Sequence, residues 1–167
     1  MEKLDDKICE ITEMFSGLSK HLCDTSEQGK GDIEFSRGSS DGICDFYSIK
    51  KGDERVGSIS FHKYFPGYGI PNSYKKKYPC LVIGGFFLKK RNQGFGTEVL
   101  KKLIDYAREN NIKSIVLKHI KETDLQDENG NCLTKEDRVN IFKKVGKKAG
   151  ISKTRYDSKH NNVIYIL

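Results

Sequence analysis

The sequence contains no long apolar run and no closely spaced pair of cysteines. No run approaches the roughly 18 apolar residues of a membrane-spanning helix, so we expect no membrane association. The five cysteines are an odd number, and no two have the CxxC spacing of zinc ligands. This argues against a disulfide framework and against a metal site. Because residues 1–6 are too acidic and polar for a secretory signal, we expect a cytoplasmic protein.

The composition indicates a globular protein with a heavily charged surface. The 167 residues are 36% apolar, 32% charged and 10% aromatic, which predicts a single domain over residues 1–167. The net charge is +7, and such a field attracts anions. A nucleic acid and a phosphate-rich cofactor both fit this charge, and so does a merely solvated basic surface.

The first half of the chain is predicted as one helix followed by strands. Apolar residues three and four apart predict a helix over residues 2–22, within an N-terminal helical segment of residues 1–30. A short strand over 32–36 and a turn over 37–42 follow. Two strand-like runs joined by a hairpin-like link come next, over residues 43–50 and 55–64. The alternation in the second run is imperfect, which leaves its pairing register open.

The second half alternates strands and helices. Residues 80–88 are apolar on both faces and predict a central strand, in which Gly84 and Gly85 indicate a bulge or a close backbone approach. Further elements are a helix over 97–110, a strand over 114–120, a helix capped by Thr134 that ends at Gly150, and strands over 153–156 and 163–167. This order predicts an α/β or α+β fold: a mixed sheet with flanking helices.

The most informative segment joins the central strand to the helix after it. Its residues are Arg91, Asn92, Gln93, Gly94, Phe95, Gly96 and Thr97. The first N–H groups of a helix lack internal acceptors and lie at the positive end of its dipole, so they bind anions. Glycines let the backbone approach a phosphate closely. The segment lacks both the Walker pattern and the third glycine of a dinucleotide fingerprint.

Residues 91–96 read as [RQ]-x-x-G-x-[GA], and with the surrounding elements this resembles the GNAT acyltransferase superfamily over residues 43–167. The resemblance implies a GNAT-like, mostly antiparallel twisted sheet flanked by helices, with an extra N-terminal helix. It implies an N-acetyltransferase that moves an acetyl group from acetyl-CoA to an amine by direct attack on the thioester. The acceptor it allows is a protein, a small amine or an aminoacyl-tRNA. It also allows a homodimer, because final strands often pair across dimers in this superfamily.

The resemblance also implies residue roles. Phe86, Phe87 and Leu88 are expected to hold the pantetheine arm through their backbone, and the amides of residues 92–97 to bind the pyrophosphate. Asn140 is the candidate for an asparagine near the pantetheine. One feature departs from the family pattern: residues 145–151 contain no tyrosine to act as general acid to the leaving thiolate.

The catalytic base has several candidates. His119 and Glu122 lie at and just beyond the predicted strand 114–120 and can accept a proton from the amine. The plainer interpretation is a strand-end histidine that faces solvent or packs on the sheet, and a solvated loop carboxylate; His119 is the single choice for the base. His62 ranks lower, and His160 and Tyr156 lie in the final hairpin, where they could line the site.

The segment 64–78 is expected to border the acceptor pocket. It interleaves lysines with aromatics, among them Tyr64, Tyr68 and Tyr74, and such a pattern can stack on bases and bind phosphates. An aromatic cluster covering the sheet is the plainer interpretation. Two alternatives to an enzyme therefore stay open: a non-catalytic acyl-CoA-binding module and a basic nucleic-acid-binding protein.

Overall fold

The computed structural model describes residues 17–18, 20, 32–42, 44–62, 80–89, 94–118 and 134–167. Its elements are β1 (Ile33–Ser40), β2 (Cys44–Lys51), β3 (Glu54–His62), β4 (Cys80–Leu88), α1 (Phe95–Glu109), β5 (Ser114–Leu117), α2 (Lys135–Lys148), β6 (Lys153–Asp157) and β7 (Asn162–Ile166). The strands form one sheet in the order β1-β2-β3-β4-β5-β7-β6.

The sheet is mixed but mostly antiparallel. Neighbouring strands are antiparallel everywhere except between β4 and β5, which are parallel and joined through α1. This confirms the predicted fold class. Of the predicted N-terminal helix, only Gly17, Leu18 and Lys20 are described; they are helical, and Leu18 is fully buried. The rest of that prediction lies outside the described residues.

Both helices form where local sequence favours them. The apolar stripe of α1 is buried, and this helix begins two residues earlier than predicted, at Phe95. In α2, Thr134 and Asp137 form a reciprocal capping box that satisfies N–H groups at the helix start. Neither helix, nor any other helical part of the described chain, is long and apolar enough to cross a membrane.

The main core lies on one face of the sheet, under both helices. Val99, Leu100, Leu103 and Val139 of the helices pack in one cluster with Ile59, Leu81, Ile83 and Tyr165 of the strands. A smaller cluster on the opposite face contains Cys80, Val82, Val116 and Ile164. The centre of the sheet is therefore buried on both faces, which explains the apolar sequence of β4 and β5.

The predicted turn over 37–42 is wrong for its first four residues, which continue β1. The β1–β2 pairing is irregular between Arg37 and Ser40. A Cβ on Gly38 would lie 3.2 Å from the carbonyl oxygen of Phe46, so the glycine permits a close approach to β2. The glycine and serines at this position therefore mark an irregular strand rather than a turn.

Two register shifts reset the faces of β3 and β4. Ile49 pairs with Gly57 and Lys50 with Arg55, which leaves Val56 as the extra residue and explains the imperfect alternation of β3. On β4, Ser60 pairs with Gly85 and Phe61 with Ile83, so Gly84 is the extra residue. This confirms the bulge that the glycine pair indicated.

Candidate active site

The two halves of β4 have different neighbours. Residues 80–83 all pair with β5, and Val82 and Ile83 also pair with β3 on the other side. The last pair with β5 joins Ile83 to Leu117. The N–H of Lys118 then donates to the carbonyl of Ile83 at 2.9 Å. From Gly84 to Leu88, β4 pairs only with β3 in the described part of the chain. The bulge at Gly84 thus stands where the described pairing of β4 with β5 ends.

The backbone of the second half is directed toward this opening. The N–H of Lys89 donates to the carbonyl of Val56 on β3 at 2.8 Å. Alternate residues of an antiparallel strand direct their N–H and C=O groups to opposite edges. Phe86 and Leu88 therefore present their backbone polar groups to the edge that β5 has left. These are two of the three residues predicted to hold the pantetheine arm.

The N-terminus of α1 has the geometry of an anion site. Gly94 adopts φ +79° immediately before the helix, a conformation that favours glycine. No side-chain hydrogen bond caps this end among the described residues, which keeps the N–H groups of Phe95, Gly96 and Thr97 available to a ligand.

Gly96 is not required by packing within the described chain. A Cβ built on Gly96 would lie 3.5 Å from Cδ1 of Leu88, which is an ordinary contact. Apart from Leu88, no described residue outside the helix approaches the space at this position. The side chain of Leu88 also bounds this space, so the end of β4 and the start of α1 adjoin.

The predicted site residues fall into three groups. Those outside the described residues are Arg91, Asn92, Gln93, His119, Glu122, Tyr64, Tyr68 and Tyr74. Phe86, Phe87, Leu88 and the residues from Gly94 to Thr97 come together at the end of β4 and the start of α1. Asn140 is exposed in the second turn of α2, beside buried Val139. Its role stays a prediction.

Three polar groups gather beside Gly84 on the face away from the helices, and we call Cys44, His62 and Lys118 the bulge cluster. His62 pairs with Cys44 on one side and with Val82 on the other. The His62 ring occupies the space that a Cβ on Gly84 would need. Burial lowers the pKa of Lys118, and its electrostatic interaction with Cys44 partly opposes this shift. Val116 packs in the cluster on that face, and side chains alternate between the faces along a strand, so Lys118 is directed to the same face.

The bulge cluster brings an imidazole and an ammonium group to the point where the cleft between β4 and β5 opens. Sequence reasoning ranked His62 low and did not single out Lys118. The one sequence feature that pointed to this region was the Gly84-Gly85 pair, because a bulge there shifts the pairing of β3 with β4. Nothing in the sequence showed which side chain fills the space left by the glycine.

A cavity of about 450 Å³ lies on the same face, beside the second half of β4. Its floor is built by paired residues of β2, β3 and β4: Ser48 pairs with Ser58, and Ser58 with Phe87. The next row joins Phe46, Ser60 and Gly85 in the same way. Phe46 and Phe87 are 38% and 50% exposed, and Arg55 is the one charged residue among the described residues of the lining.

The turn between β6 and β7 lies at the same end of the sheet. Leu117, the last residue of β5, pairs with Val163, and Asn162 comes just before Val163 in the chain. The turn therefore lies beyond the end of β5. Within it, the Nδ1 atom of His160 lies 2.9 Å from Oδ2 of Asp157, and the hydroxyl of Tyr156 donates to Asn161 at 3.1 Å. Burial alone would raise the pKa of Asp157, but the hydrogen bonds and charge of His160, with the Lys159 N–H, lower it.

Tyr165 does not supply the acid that α2 lacks. Its ring packs where a Cβ on Gly146 would lie, but its hydroxyl donates to the carbonyl of Phe142 at 2.6 Å. Burial raises the pKa of this tyrosine. A fully buried phenol that is already bonded to a backbone carbonyl is a packing element of the core.

The sequence matches the acetyltransferase (GNAT) family over residues 11–128. No curated protein shows a significant match. Among solved structures, an Elizabethkingia anophelis GNAT acetyltransferase with bound acetyl-CoA is 12% identical; the match covers 81% of this chain and 99% of that one, with a TM-score of 0.45. A Bacillus subtilis acetyltransferase in complex with CoA is also 12% identical, covering 83% and 99%, with a TM-score of 0.46.

The GNAT domain of PAT from S. lividans is 16% identical, with a TM-score of 0.44, and the match covers 77% of this chain and 64% of that one. All three TM-scores are below 0.5, so the family assignment rests on the sequence match. That match extends over most of the chain and confirms the resemblance carried by the motif. The chain therefore belongs to the acetyltransferase (GNAT) family.

Proposed function

We propose that the chain transfers the acetyl group of acetyl-CoA to an amine in the cleft where β4 parts from β5. The observation that supports this most directly is the backbone edge of Phe86 and Leu88, which pairs with no described strand, beside the start of α1, which no described side chain caps. A strand edge binds an extended amide-containing arm by main-chain hydrogen bonds, and a helix N-terminus binds phosphate. Pantetheine and pyrophosphate are joined in coenzyme A in this order.

The residues present fit the donor at both ends. The amides of Phe95, Gly96 and Thr97 would bind the pyrophosphate, with Arg91, Asn92 and Gln93 completing the loop. The space at Gly96, which no described residue other than Leu88 approaches, supports this assignment because it leaves the backbone accessible to a phosphate. Asn140 is proposed to approach the pantetheine from α2. When bound, acetyl-CoA supplies an activated acetyl thioester.

His62 is our candidate for the general base. An amine attacks only in its neutral form, and amines titrate near pH 10.4, so a base or relay must remove a proton. The new C–N bond forms as the C–S bond breaks, and the proton passes from the amine to the His62 imidazole. His119 and Glu122 remain alternatives for the same step. The N–H of Leu88 is the candidate donor to the thioester carbonyl.

Lys118 is our candidate for returning a proton to the departing thiolate. The family's usual tyrosine is absent from residues 145–151. Lys118 lies at the opening of the cleft, and its lowered pKa makes its ammonium a readier proton donor than an exposed lysine. The cell compartment and the assembly are further proposals: Cys44 and Cys80 are buried and form no disulfide among the described residues, which fits a reducing cytoplasm, and a homodimer remains a family expectation.

The first experiment measures the melting temperature with and without acetyl-CoA, followed by CoA thiol release with added amines. Ligand at about 100 times its dissociation constant stabilises a protein by about 2.7 kcal/mol, a rise of roughly 5–10 °C at this size. Stabilisation with amine-dependent thiol release supports the proposal. Stabilisation without release would make the chain a binding module, and no stabilisation at saturating acetyl-CoA would sink the proposal.

A further inference from the structure

We propose that the acceptor is a small amine that carries a carboxylate and an apolar body, as an apolar amino acid does, and that it binds in the cavity on the helix-free face. This inference rests on the proposed transfer reaction and specifies its acceptor. The cavity and the cleft share one wall, because Gly85, Phe86 and Phe87 line the cavity and belong to the half of β4 that β5 has left.

The charge of the cavity selects an anion. Arg55 is the one charged group among the described lining residues. In the same cross-strand row, Glu34 stands opposite Lys50 and Lys50 opposite Arg55. Glu34, the acidic residue of this row, is thus two strands away from Arg55. A guanidinium presents a planar fork that matches a carboxylate with two parallel hydrogen bonds.

The rest of the lining suits the body of such a ligand. Serine hydroxyls from adjacent strands provide adaptable hydrogen bonds on the floor. Phe46 and Phe87 expose apolar ring surface at the sides. A volume of about 450 Å³ lies within the range for small-molecule sites, about 300–1,000 Å³.

The position of the cavity also suits transfer. His62 follows Ser60 by two residues on the same face of β3, so the proposed base adjoins the cavity floor. Arg55 and His62 lie seven residues apart on the same face of β3, and the serines of the cavity floor stand between them. The cavity thereby connects an anion-binding end to a proton-accepting end.

The test compares amines that differ only in the carboxylate. Phenylalanine and leucine are assayed against phenethylamine and isoamylamine, and against a lysine-containing peptide, by CoA thiol release. We expect kcat/KM at least about 10-fold higher for the amino acids, the usual size of a lost charge-assisted pair. Equal use of each matched pair, or preference for the peptide, would overturn the proposal.

Arg55 variants test the contact itself. Arg55→Gln should raise KM for phenylalanine at least about 10-fold, leave phenethylamine and acetyl-CoA unaffected, and be partly rescued in Arg55→Lys. An equal loss for both amines would contradict a carboxylate contact. If no amine is acetylated, the melting temperature is measured with N-acetylphenylalanine and with N-acetylphenethylamine. Equal rises in melting temperature with the two compounds would reject the carboxylate site. Failure of the transfer proposal is distinct, because it removes stabilisation by acetyl-CoA.

Discussion

The two halves of β4 differ in their neighbours and in their exposure. Residues 80–83 are buried between β3 and β5, with side chains in the clusters on both faces. After Gly84, exposure alternates: Phe86 and Leu88 pack partly against the helix-side core, while Phe87 is 50% exposed. The same strand therefore stabilises the sheet in its first half and offers backbone and side chains to ligands in its second.

The single extra residue at Gly84 produces this difference. A bulge changes which residues face which side, so that Phe87 turns to the cavity and Phe86 to the core. It also coincides with the end of β5 pairing. From this comparison we expect substitutions before the bulge to change the free energy of unfolding, and substitutions after it to change transfer.

The largest expected effect on stability is at Ile83, which is 1% exposed. Ile83→Ala should lower the free energy of unfolding by about 3 kcal/mol, because it removes buried methyl groups and leaves a cavity. Phe87→Ala should lower it by less than about 1 kcal/mol, as is usual for exposed positions. Urea unfolding measures both. Ile83→Val, expected to cost about 1 kcal/mol, covers the case in which the alanine variant does not fold.

The next largest effect is on catalysis, at His62. His62→Gln should lower kcat about 100-fold by removing the base, with KM for acetyl-CoA within about twofold. As pH is lowered, the wild-type kcat should fall because the His62 imidazole becomes protonated. The residual kcat of the variant should not show this pH dependence. Lys118 and Cys44 share the face with His62, so the profile is repeated in Lys118→Gln. His160→Gln is the matched histidine control, and a larger loss there would transfer the role to His160.

A smaller effect, on donor affinity alone, is expected at Gly96. Gly96→Ala should raise KM for acetyl-CoA about 10-fold, because the added methyl group enters the space we assign to the pyrophosphate. The stability should stay equal or rise by up to about 1 kcal/mol, since alanine favours a helix. Gly150→Ala is the control: Gly150 has φ +92°, so this variant should lose stability and keep its KM. An unchanged KM in Gly96→Ala would argue against a phosphate there.

Much of this architecture could be predicted from the periodicity of apolar residues and from the residues that cap helices and form turns. The apolar stretch of β4, the stripe of α1 and the Thr134 cap each reflect local sequence, and each was placed within two residues. The glycine turn before α1 is also local, which is why the donor site could be predicted from a short motif.

The acceptor side could not be predicted in this way, because it depends on register. The serines that build the cavity floor lie on β2 and β3 and meet only through cross-strand pairing. The continuation of β1 through Gly38 and the extra residue at Val56 both change which side chains share a face. Lys118 shares a face with Cys44 and His62 only through the pairing of β2, β3, β4 and β5, an arrangement that no local pattern in the sequence indicates.

The last prediction concerns a pair that lies at the functional end of the sheet but that we expect to affect stability only. Asp157 is bonded to His160, and its pKa is lowered. A carboxylate with a lowered folded-state pKa stabilises the fold above its unfolded pKa, and this stabilisation is lost as pH falls through the folded value. The free energy of unfolding of Asp157→Asn at pH 6 should therefore be lower than that of the wild type, by less than about 1 kcal/mol. The gap should close as pH falls below the ordinary carboxyl value of 3.8. A constant gap from pH 6 to pH 3 would mean that geometry rather than charge is lost, and a fall in kcat would place this turn with the second half of β4.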